Sequence, residues 1–197
     1  MDEVSRSAFE TLLVALQELG VEIIRAKDLP LLQELEASVA NARPVSADIG
    51  NYEVRWIQKN LNAMYPGKLS DRAVSRYLNA LHLTQEDYRR RLKEREAMQR
   101  ALANLAHHVD ALIAPSSPGV APVWKGDIPG EPLSSLPTGD SVANAATSAI
   151  GAPCVTVPLI AINGFPMGVQ VIGFKNMDAR VASYASWLQK SVSPVIA

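Results

Sequence analysis

The stretch GAPCVTVPLIAINGFPMGVQVIG, residues 151–173, decides how the rest of the chain reads. Val155, Val157 and Leu159 alternate with Thr156 and Pro158, and Val169 and Val171 alternate with Gln170 and Ile172. Such alternation marks strands, and Asn163-Gly164 between the two runs is a strong type I′ hairpin signal. Pro158 and Pro166 each remove an amide donor, so at least one strand must be bulged or at an edge there. The apolar run 149–162 is too short for a membrane-spanning helix and contains Pro153 and Pro158.

Upstream, residues 9–19 carry Phe9, Leu12, Leu13, Leu16 and Leu19 at helical spacing, with Gly20 as a stop. VEII, residues 21–24, reads as a short strand after that helix, a common α/β step. Helices are expected at about residues 31–41 and 46–64, the second ended by Pro66-Gly67. Ser70 is placed to cap DRAVSRYLNAL, and Thr84 with Asp87 marks the start of a long helix over residues 85–107. Glu86–Arg90 and Glu96–Arg100 are spaced to pair along that helix.

The character changes at Val109. Residues 111–114 read as a short buried strand, and residues 115–139 form a Pro/Gly/Ser-rich loop with Trp124 as its one aromatic residue. A small-residue helix is expected from Ser141 to Gly151, and Asp178 is placed to cap a last helix with Val181, Tyr184, Ala185 and Leu188 on one face. The division is therefore a mostly helical part, 1–108, and a mixed strand and helix part, 109–197, in one domain.

Composition narrows the function. The 197 residues are 48% hydrophobic and 20% charged, with 19 Lys plus Arg against 20 Asp plus Glu. That balance favours neither nucleic acid nor an anionic membrane as partner. The N-terminus, MDEVSRSAFE, has neither basic nor apolar signal-peptide regions, and a single cysteine makes no internal disulfide. A cytoplasmic protein is expected.

No complete catalytic or metal-binding constellation emerges. Cys154 lacks a neighbouring base in sequence and fits a buried apolar strand. His107, His108 and Asp110 point apart on a helix and lack chelating spacing. Gly139-Asp140-Ser141 resembles an esterase nucleophile block, but the last histidine, His108, lies upstream of it, so a turn and helix start are expected. Arg89, Arg90 and Arg91 interleave with Glu86, Asp87, Glu94 and Glu96 and read as a solvated face. No P-loop, GxGxxG or GxSxG occurs.

Three blocks in order carry a resemblance: DALIAPSSPGVAP (110–122), TGDSVANAATSAIGAPCVTVP (138–158) and GFPMGVQVIG (164–173). Together they resemble the C-terminal region of the amidase signature family. The helix ending in LGVEI, the helix with Glu53 and Trp56, and the helix with Tyr88 fall in the order that resemblance implies.

The resemblance implies the C-terminal part of an α/β/α fold, a mixed sheet flanked by helices, with a helix-rich first half. It also implies hydrolysis of carboxamides by a serine, cis-serine and lysine triad. In that chemistry a buried lysine acts as base through the middle serine, and the nucleophilic serine attacks the carbonyl. Backbone amides of a Gly/Ser-rich loop hold the oxyanion.

No GSSGG-like block occurs here. Ser116-Ser117 and Ser134-Ser135 are followed by Pro and Leu. The expectation is thus no catalytic, cofactor-binding or metal residue in this chain and no turnover by it alone. A small carboxamide is expected as substrate only where a missing N-terminal half completes the enzyme. A truncated frame, one piece of a split amidase, and a non-catalytic binding or structural module are the readings left open. An incomplete fold should expose an apolar patch and a sheet edge, and self-associate.

Overall fold

The structure is a computed structural model, and it describes residues 1–123, 126 and 139–197. Seven α-helices occur among them: α1 (Glu3–Glu18), α2 (Pro30–Val39), α3 (Ala42–Met64), α4 (Asp71–Ala80), α5 (Gln85–Asn104), α6 (Val142–Ile150) and α7 (Asp178–Ser191). Strands β1 (Leu112–Pro115), β2 (Cys154–Ile162), β3 (Phe165–Ile172) and β4 (Val195–Ile196) form one mixed sheet in the order β1-β3-β2-β4. Strands β1 and β2 each pair antiparallel with β3, and β4 is parallel to β2.

The β2–β3 hairpin forms where the sequence places it. Asn163 and Gly164 both have positive φ, 51° and 80°, as a type I′ turn requires. The register then slips between Val157 and Ile160, so Pro158 and Leu159 together face Gly168. The bulge puts Pro158 where a missing amide breaks no regular ladder. Pro166 sits opposite Ala161, next to the closing Ile162–Phe165 pair. At that place the amide of an ordinary residue would point away from β2, so proline costs nothing there.

Side chains alternate across the sheet and build two cores. Ile113, Val155, Val157, Val169 and Val171 face α1 and α7 and join Leu12, Leu16, Val181 and Leu188. Leu112, Ala114, Cys154 and Ile172 face the other way, toward Val45, Met98, Leu102, Leu105 and Ile150 on α3, α5 and α6. Helices therefore cover both faces, which is the expected α/β/α layering.

Helix boundaries follow local chemistry with some corrections. Thr84 and Asp87 form a full reciprocal capping box: the Asp87 amide donates to Thr84 Oγ1 at 3.1 Å and the Thr84 amide donates to Asp87 Oδ2 at 3.0 Å. The Ser70 hydroxyl accepts from the Ala73 amide, capping α4. The third helix starts at Ala42, four residues before Ser46, and the fifth stops at Asn104, before His107. Asp178 is the first residue inside α7; Met177 occupies the cap position and no side chain caps it. Arg90 pairs with Asp87 at 2.7 Å, whereas Arg100 pairs with Glu96 at 3.4 Å as spaced.

The largest departure is VEII. Residues 21–24 pair with no strand among those described. Arg25 after them is extended, φ −99° and ψ 156°. The β-branched composition is that of a strand, but a strand also needs a neighbour, and among the described residues none pairs with it.

Candidate functional site

The sheet face under α6 carries a strip of small polar residues. Ala114, Thr156 and Gln170 lie in one row across β1, β2 and β3, because Ala114 and Thr156 are both register partners of Gln170. The next row holds Ser116, whose amide donates to the Gly168 carbonyl at 2.9 Å. A Cβ placed on Gly168 would overlap Thr156 Cγ2 and come within 2.6 Å of Ser116 Oγ. Glycine is thus required there by space.

Gln170 is only 3% exposed. Its Nε2 donates to Asn144 Oδ1 on α6 at 3.5 Å, at the long limit of a hydrogen bond. Its burial was not legible from alternation, which assigns a lone polar residue between valines to a solvent face. Here both sheet faces are covered, so the polar residue is buried with a polar partner above it. The signal that could have found it was the asparagine on a helix otherwise made of small residues, Val142–Ile150. Ser116, Thr156, Gln170 and Asn144 can hold a polar group, but none of the four is a base.

Beside this strip runs an open groove of about 1120 Å³. One wall is β1 with the approach to it, His108–Ala114; another is residues 20–26. Leu35 and Val39 of α2, Ala146 and Ile150 of α6, and Tyr184 and Trp187 of α7 complete the lining. The groove thus follows the edge strand of the sheet. Arg25 at its rim is held by a bidentate pair to Glu10 on α1, Nη1 to Oε1 at 3.0 Å and Nη2 to Oε2 at 2.6 Å. The guanidinium holds the Glu10 carboxyl below the usual carboxylate range, and Glu10 in turn raises Arg25.

The residues singled out by sequence do not converge. Cys154 is half-buried on the α5 and α6 side of the sheet, and burial pushes its thiol up, away from nucleophilic character. His107 and His108 are exposed in the turn after α5, with His108 and Asp110 at the groove. Among the described residues no group of three or more His, Cys, Asp or Glu is arranged to hold a metal.

Asp140 Oδ1 accepts from the Val142 amide at 3.0 Å and from Arg43 Nη1 at 3.3 Å, so it is engaged at the start of α6. Ser141 occupies the cap position with no side-chain bond. Arg91 ties α5 to Asp48 of α3 at 2.8 Å and also reaches Glu94 at 2.8 Å. That member of the arginine run is an interhelical tie, where the sequence suggested only a solvated face. Ser117 Oγ donates to the Gly119 carbonyl at 2.6 Å. Trp124, Ser134 and Ser135 lie outside the described residues.

A mixed sheet covered on both faces, with one polar strip and an open edge, defines an α/β/α protein. The model of the Amidase family matches residues 1–182, and the chain belongs to that family. A solved amidase is 28% identical, with a TM-score of 0.79; the match covers 96% of this chain and 42% of that one.

A structure of a vestigial protein complex described as revealing the origins of an s-triazine catabolic enzyme is 21% identical, TM-score 0.71, over 95% of this chain and 40% of that one. A bacterial aryl acylamidase of the amidase signature family is 15% identical, TM-score 0.61, over 78% and 34%. The last two show the fold alone. No curated protein matches the chain. The 197 residues thus span about two-fifths of the length of the solved amidase they match.

Proposed function

We propose that this chain works as the non-catalytic part of an amidase-like hydrolase of carboxamides, and that it turns over no substrate alone. The observation that carries this reading is the unequal match: nearly all of this chain, but 42% of the solved amidase. The sequence agrees, since it contains no GSSGG-like block from which to assign a nucleophile and oxyanion loop. In the family chemistry the remaining segment supplies serine, cis-serine and lysine. Residues 1–197 then form a single partial amidase domain that supplies four strands of sheet and the helices on both of its faces.

The single cysteine supports a reducing, cytoplasmic setting. Among the described residues no helix is long and apolar enough to cross a membrane. The neighbour described as a protein complex makes a split enzyme the second reading, with the serine-bearing part on another polypeptide.

The test is ammonia release from a simple carboxamide such as benzamide. The purified chain is assayed alone and with the remainder of the 28%-identical amidase supplied as a separate polypeptide. No release alone, and release on mixing that a serine-directed probe abolishes, is the expected result. Serine-dependent release by the chain alone would overturn it.

A further inference from the structure

At the tip of the β2–β3 hairpin one peptide unit stands without a main-chain partner among the described residues. The Gly164 amide donates to no main-chain carbonyl there, and the Asn163 carbonyl accepts from no main-chain amide. The chain on either side of it is fixed. The Asn163 amide donates to the Ala197 carbonyl at 2.8 Å, the Ala197 amide donates to the Ala161 carbonyl at 2.8 Å, and Ile162 pairs with Phe165. Asn163 and Gly164 are both exposed, and a Cβ built on Gly164 would meet nothing within 4 Å. A free peptide nitrogen thus follows directly after a side-chain carboxamide, in water and unshielded.

Such a nitrogen can attack the carboxamide and close a five-membered ring. A flat ring eclipses Cβ of Asn163 with the Gly164 nitrogen about the Cα–C bond. It therefore needs ψ of about −120°, the value a type II′ turn has at its first central residue with φ still positive. The φ of Asn163, 51°, already fits. Passing from type I′ to type II′ asks only for a flip of the 163–164 peptide plane. Both turn types close two-residue hairpins, so the strands keep their register. The flip breaks no main-chain hydrogen bond among the described residues. Its cost is the strain of a residue with a side chain at the first II′ position. Asn163 is also the one asparagine in the chain followed by glycine. Asn176, the other asparagine with positive φ, precedes Met177, whose amide is engaged by the Phe174 carbonyl at 3.0 Å.

We propose that Asn163 is a site of self-modification, which closes with Gly164 to a succinimide and opens to aspartate and isoaspartate. Hydroxide takes the Gly164 amide proton, and the nitrogen bonds to Asn163 Cγ. The bond from Cγ to the side-chain nitrogen breaks, and that nitrogen takes a proton from water and leaves as ammonia. Water then adds to one of the two ring carbonyls. Breaking the ring bond at Cγ gives aspartate, and breaking it at the main-chain carbon gives isoaspartate. The isoaspartyl product runs its main chain through Cβ and Cγ, which lengthens it. A two-residue loop so lengthened no longer matches the Ile162–Phe165 closure.

Peptide mass spectrometry on the full chain, kept folded in mildly alkaline buffer, tests it. Isoaspartate is counted with an isoaspartyl methyltransferase and a labelled methyl donor. The segment bearing Asn163 is expected to gain the mass of deamidation and the methyl label, in proportion to hydroxide, while Asn176 stays unchanged. The folded rate should lie about ten- to a hundredfold below that of the guanidinium-unfolded chain, the slowing that the strained II′ backbone imposes. Asn163→Gly keeps a residue that suits positive φ and should lose both signals. Ammonia from this source needs no added carboxamide and ignores a serine-directed probe, so it is separable from the turnover tested above.

An Asn163 that stays intact in the folded chain, or reacts more slowly than that range, would overturn the inference, because the turn would then lock the peptide plane. So would modification of Asn176 ahead of Asn163. Ammonia and methyl label undiminished in Asn163→Gly would also overturn it, since the source would then lie elsewhere.

Discussion

Gly168 shows how one residue can be set by its neighbours across a sheet. It faces the Pro158–Leu159 bulge, and its missing side chain leaves room for Thr156 and Ser116. Gly168→Ala should therefore destabilise the fold by about 1–3 kcal/mol, the usual cost of overpacking. Urea unfolding followed by far-ultraviolet circular dichroism would read it, and a variant as stable as the parent would refute the steric argument. Thr156→Ser removes the methyl that a new Cβ would strike, so it should recover part of the loss. At this scale the sequence was legible where the signal was local. Asn163-Gly164 specified its turn because positive φ at two successive residues is a backbone property. Gln170 was not legible, since its burial depends on α6 lying above it. Cys154 read as filler in a buried strand; it does lie in β2, where its proline and valine neighbours place it, but only half-buried.

Elements came through the same way. The Thr84 and Asp87 pair marks the start of α5 because a capping box is complete within four residues. Residues 21–24 misled because strand composition was present and strand pairing was not. One anchor of that segment is the Glu10–Arg25 pair, and its pH dependence can be worked out. The Glu10 carboxyl is held below its ordinary range by Arg25, so the pair's contribution is fully present above the unfolded value, about 4.3, and is lost as pH falls through the lower folded value. Arg25 stays charged throughout. Residues 22–24 should thus exchange their amides relatively faster, after correction for intrinsic rates, as the solution is taken below the carboxylate range. Glu10→Gln should show the faster exchange already at neutral pH and lose the acid dependence. An acid response unchanged in Glu10→Gln would place the anchor elsewhere. The effect should be small, because both side chains are largely solvent-accessible and screened.

For the whole molecule, two features pull in opposite directions. The sheet has a packed core on each face, with Leu12, Leu16, Val45, Leu105, Ile160, Met167, Val169 and Val181 almost entirely buried. Those cores are enough to expect a cooperative unit. Yet β1 leaves an open edge along an apolar groove, and Trp56 and Ile57 on α3 are 58% and 62% exposed. Apolar surface of that kind, next to unpaired main chain, favours association. The isolated chain should therefore bind a hydrophobic dye and sediment as a concentration-dependent mixture of monomer and larger species. Adding the remainder of the solved amidase should suppress both behaviours by covering the groove. Trp56→Glu with Ile57→Lys separates the two surfaces: if α3 drives association the double variant becomes monomeric, and if the groove drives it the variant associates as before. A strictly monomeric chain with a sharp melt and no dye binding would contradict the argument, since it would mean that the exposed edge costs the fold nothing.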